Sequence, residues 1–110
     1  MPVETARKVE ALAVDLGSQR RLAELLGVNP AQVSRWLRGQ GIDPLNAEWV
    51  DLLELVMANL LRLYTAPAAR DWLLGLNPNL GDRRPIDLVR MGKLEELMCA
   101  IRAERADSFA

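Results

Sequence analysis

Residues 18–39, SQRRLAELLGVNPAQVSRWLRG, decide how this chain is read. Gln19 opens a helix behind a Ser18 cap, and Leu22, Ala23 and Leu26 recur at helical spacing, so one face of it is apolar. Gly27 permits a left-handed backbone, and Val28 plugs the corner that follows. Asn29 is a strong N-cap, and Pro30 fits the first helical position, where no amide donor is needed. Val33 and Leu37 repeat at four-residue spacing toward a core, and Gly39 ends the second helix. These residues spell a helix-turn-helix. Ala23 is its most informative member, because a methyl group at the crossing point lets two helices approach closely at roughly 90 to 120 degrees.

What the core leaves on the second helix is an outward face of Pro30, Ala31, Gln32, Ser34, Arg35 and Arg38, which suits a DNA major groove. Gln32 is expected to bond adenine N6 and N7, and Arg35 guanine O6 and N7. Pro30 and Ala31 offer small apolar surfaces to a thymine methyl at the end that enters the groove first. Ser18, Gln19, Arg20 and Arg38 are expected to hold phosphates, which position the protein without selecting sequence. The competing reading is a solvated helix in a structural bundle. Trp36, beside Leu37, is expected to pack against other helices rather than stack on DNA.

A length of 110 residues allows one domain or two small helical subdomains, not a large enzyme core. No apolar run approaches a bilayer span and the first residues, MPVETARKVE, lack the apolar stretch of a signal peptide, so the expected location is the cytoplasm, with no membrane partner. The single cysteine, Cys99, excludes a disulfide framework and a thiolate metal site, and its helical surroundings predict a small buried apolar residue. The chain has no histidine and therefore lacks the commonest general base and metal ligand. No enzyme activity, cofactor or metal is expected.

The net charge of −1 hides a segregation. Residues 18–41 carry Arg20, Arg21, Arg35 and Arg38 against Glu24, whereas residues 42–66 carry Arg62 against Asp43, Glu48, Asp51 and Glu54. Positive charge is concentrated on the motif. So few basic groups bind DNA weakly in a single copy, which predicts a homodimer or a larger assembly.

In chain order, residues 3–16 read as a first helix with Val9, Leu12, Ala13 and Leu16 buried and Gly17 as its stop. After a loop at 40–44, a long helix is expected from near Asn46 to about Tyr64. Glu48, Asp51, Glu54, Ala58 and Arg62 form one narrow polar stripe on it, so it must be covered on several sides, by the C-terminal segment, a second copy or another protein, with a core shared between copies preferred over a simple central core helix. A break at 65–68 precedes a short helix at 69–74, and an ordered loop at 77–84 is expected to hang on Trp72 and Leu80. Pro85 opens another helix, Gly92 closes it, and a last helix from Lys93 to about Ala106 carries Leu94, Leu97, Met98 and Ile101 on one face, leaving a short tail at 107–110.

The stretch 71–92, DWLLGLNPNLGDRRPIDLVRMG, contains Trp72-Leu73, Asn77-Pro78, Leu80-Gly81, Pro85-Ile86-Asp87-Leu88 and Gly92. In order and spacing these resemble the toxin-binding domain of the Xre/MbcA/ParS antitoxin family, and the N-terminal half resembles its Xre-type helix-turn-helix. The resemblance implies an all-α chain in two parts. Residues 1–66 would form the helix-turn-helix domain with a long connecting helix, and residues 67–110 a small helical toxin-binding domain. It implies an antitoxin that neutralises a RES-domain toxin that consumes NAD, by laying its C-terminal end over the toxin's active site, and that represses its own operon through operator DNA. Arg102, Arg105, Asp107 and Phe109 are then the expected toxin contacts, with Arg83 and Arg84 at the rim. The alternative is a free-standing dimeric helix-turn-helix repressor with no toxin partner.

Overall fold

Four side chains at three- and four-residue intervals, Val9, Leu12, Ala13 and Leu16, make helix α1 (Pro2–Leu16) amphipathic, and all four are buried. The computed structural model describes the backbone of residues 2–108 and the side chains of residues 4–107. Among these the chain is all-helical, with seven α-helices, one 3-10 turn and no strand. It divides into two compact units, residues 1–54 and 55–110.

In the first unit, α1 packs against both α2 (Gln19–Leu26) and α3 (Pro30–Leu37), and these two pack against each other. Ser18 caps α2, its Oγ accepting the Arg21 N–H at 3.1 Å. Gly27, at φ +71°, closes α2, and the Val28 N–H reaches back to the Ala23 carbonyl at 2.9 Å. Leu22, Ala23 and Leu26 are buried by this turn, with Ala23 fully so. On α3 the buried pair is Val33 and Trp36, while Leu37 is only half-buried. The core register on α3 therefore differs from the expected Val33 and Leu37, because the larger indole takes the inward position.

Helix α4 (Pro44–Leu60) starts and ends earlier than expected. Asp43 accepts the Asn46 N–H at 3.1 Å and the Asn46 side-chain amide at 2.7 Å, so the Asp-Pro pair supplies the cap and the first turn. These hydrogen bonds hold the Asp43 carboxyl below the usual carboxylate range. At the far end, bonds from the Leu63 and Tyr64 N–H groups to the Leu60 carbonyl tighten the chain into a turn. Val50, Leu53, Val56 and Leu60 are fully buried, whereas Leu45, Leu55 and Leu61 remain exposed.

In the second unit, α5 (Ala66–Leu74) packs on α6 (Pro85–Arg90), and α6 and the 3-10 turn Pro78–Leu80 pack on α7 (Leu94–Ser108). The connecting loop is ordered around Asn77, a buried polar residue. Its N–H donates to the Arg83 carbonyl, its carbonyl accepts from Leu80 and Asp82, and its side chain accepts the Asn79 N–H at 2.9 Å. Leu80 is buried as the loop's apolar anchor, but Trp72 is only half-buried. Helix α7 runs past Ala106, so Asp107 is helical rather than part of a tail. Cys99 corrects the expectation of burial. It lies on the outward side of α7, exposed, and accepts a hydrogen bond from the Arg102 guanidinium at 3.2 Å.

Candidate functional site

Successive side chains on a helix turn by about 100°, so residues at i, i+3, i+4 and i+7 share a face. On α3 those residues are Ala31, Ser34, Arg35 and Arg38, opposite the buried Val33 and Trp36. Ala31, Arg35 and Arg38 are exposed and Ser34 is half-exposed. The Arg38 guanidinium donates to the Ser34 Oγ at 3.1 Å, which steadies it one turn beyond Arg35. Pro30 is exposed at the leading end.

Gln32 stands apart from that stripe. Its Oε1 accepts the Asn29 N–H at 3.3 Å while the Asn29 side chain accepts the Ala31 N–H at 2.9 Å, so Gln32 is half of the cap that starts α3. With its carbonyl engaged in the cap, Gln32 keeps its side-chain NH2 and the second lone pair of Oε1 for any base contact. A signal for the cap was legible, since a glutamine three residues after an asparagine cap matches a capping box.

Ser18, Gln19 and Arg20 are all exposed around the start of α2. The Ser18 oxygen is occupied by its cap bond, which leaves the hydroxyl hydrogen as the group it can donate. The stripe and this first turn belong to the same three-helix packing, and both lie in the segment with three surplus positive charges.

The residues expected at a toxin contact are distributed differently. Arg83 and Arg84 are exposed but already paired, Arg83 with Glu96 at 2.6 Å and Arg84 with Asp87 through two bonds of 3.2 Å. Arg83 also donates to the Leu80 carbonyl at 2.6 Å, so it holds the loop to α7. Arg102 and Arg105 are exposed three residues apart on the outward side of α7, together with Cys99. Asp107 is exposed too, but five helical steps from Arg102 place it about 140° around the axis, on a different side. Phe109 lies outside the described residues.

A cluster that sequence reading passed over centres on Glu104. Its carboxylate accepts the Tyr64 hydroxyl at 2.6 Å and the Trp72 indole N–H at 3.1 Å, joining α7 to α5 and to the turn before it. The carboxylate beside it, with partial burial, pushes the Tyr64 hydroxyl up to about 12. The available signal was an acid flanked by the buried Ala100 and Ile101 one turn back, a place where a charge needs partners. Among the described residues no group of three His, Cys, Asp or Glu side chains gathers in a way that could hold a metal ion. No helix described is long and apolar enough to cross a membrane.

Searches against protein-family models, curated proteins and solved structures return no match for this chain.

Proposed function

We propose that this chain is an antitoxin of the Xre/MbcA/ParS kind, which binds operator DNA through α2 and α3 as a helix-turn-helix and a RES-domain toxin through its C-terminal part. The observation that carries the DNA half is the pairing of a fully buried Ala23 and a left-handed Gly27 with an outward, acid-free stripe of Ala31, Ser34, Arg35 and Arg38. Arg35 reads guanine in this account, Ala31 and Pro30 meet base methyl groups, and Gln32 supports the helix from its cap. Ser18, Gln19, Arg20 and Arg38 hold phosphates. Two or more copies act together, since one copy carries few basic groups.

The toxin half rests on the Trp72 to Gly92 motif of the resemblance and on a loop whose fixed shape presents the C-terminal helix. Arg102, Arg105 and Asp107 are its proposed contacts among the exposed charged groups of α7, and the end of the chain covers the toxin's NAD-consuming site. Co-expression with a RES-domain protein encoded beside it tests this reading. The full chain should restore growth and cellular NAD, and a chain lacking residues 107–110 should fail to do so while still binding DNA. Continued growth arrest with the full chain would refute the toxin half, and rescue by the shortened chain would remove its end from the mechanism.

A further inference from the structure

Helix α1 buries Val9, Leu12, Ala13 and Leu16, and its opposite face carries Arg7, Ala11 and Val14, all exposed. Val14 is 75% exposed, more than any other large apolar side chain described. With Glu10 and Asp15, these residues line a shallow hollow of about 440 Å³. Among the described residues neither Arg7 nor Asp15 enters an ion pair. The face thus holds a small residue at its centre, an apolar residue beside it, a cation four residues before Ala11 and an anion four residues after.

That arrangement is complementary to itself. We propose that a second copy of this chain docks here, α1 crossing α1 antiparallel about a two-fold axis at Ala11. Under this symmetry, residues equally far before and after Ala11 meet, so Arg7 faces the partner's Asp15 and the reciprocal pair forms at the other end. The methylene stem of Arg7 lies along the partner's Val14 while its guanidinium reaches the carboxylate. Ala11 against the partner's Ala11 allows the axes to approach to about 8 Å. A parallel pairing would instead set Arg7 against Arg7 and Asp15 against Asp15. The charges therefore choose both the occupant, a second copy, and its direction.

One helix pair buries less than the roughly 1,600 Å² of a standard interface, so the contact is weak in free solution and forms at high local concentration. It assigns a surface to the association of copies proposed above and rests on that part of the reading, not on the toxin partner. Sedimentation equilibrium of the full chain tests it, using wild type, R7D, D15R and an equimolar mixture of the two variants. Both substitutions alter exposed side chains, and circular dichroism checks that the helices remain. Wild type should form a reversible dimer, and each variant alone should associate about tenfold more weakly, because both pairs become like-charged. The mixture should regain wild-type association, since every pair between the two variants is again opposite in sign. A wild type that stays monomeric at millimolar concentration, variants that associate as wild type does, or a mixture that regains nothing would each overturn the proposal.

Discussion

Gln32 carries an amide that could present a donor and an acceptor to adenine, and the same amide can close a helix cap. In the structure the Gln32 carbonyl accepts the Asn29 N–H, so the amide serves the cap. The sequence reading assigned the amide to adenine alone, and the cap emerges from the geometry. Tyr64 shows the same dependence on a distant partner, because Glu104 lies forty residues further along the chain and no local pattern couples them. Its hydroxyl ionises at about 12 in the fold against an ordinary 10.0, so the folded state favours the protonated form. Stability from this bond is fully present below pH 10 and is lost as pH rises through 12. Urea titrations across that window should therefore show wild type losing more stability than Y64F. Equal losses in both proteins would contradict the assignment.

At the scale of elements, the helices were legible wherever a cap and an apolar period agreed. Ser18, Asn29, Gly27 and Gly39 punctuate α2 and α3, and the backbone turns at each of them. The boundaries of α4 were harder to read. Its run of apolar residues continues past Leu60 with no break, so the chain's turn at 61–63 had no local signal before Thr65. At its start, Asp43-Pro44 was read as part of a loop, although the same pair serves as cap and first helical residue. The loop at 77–84 was expected to be ordered by its apolar anchors, yet Asn77 supplies most of its hydrogen bonds. Close packing at Ala23 makes a prediction of its own. A23L should destabilise the first unit by about 1 to 3 kcal/mol through overpacking, measured by urea unfolding. A neutral effect would mean that α2 and the helices around it leave room there, against the account of a close crossing.

Across the whole molecule, the near-zero net charge conceals a positive segment at 18–41 followed by a negative one at 42–66, and this segregation could be read directly from the sequence. The division of the chain could not. The two compact units meet at 54/55, inside an uninterrupted helix where composition does not change. The outward stripe of α3 was largely legible because it is local, four residues of one helix, whereas the expected toxin contacts are scattered over a loop and a helix and include arginines already paired to Glu96 and Asp87. In the proposed function Arg35 reads a base. Its most direct test is a titration of wild type and R35A against a DNA fragment from immediately upstream of the gene and a scrambled fragment of the same composition. Wild type should prefer the upstream fragment, and R35A should lose about 1 to 3 kcal/mol of that affinity with relaxed preference at one position. Indistinguishable binding of both proteins to both fragments would contradict it.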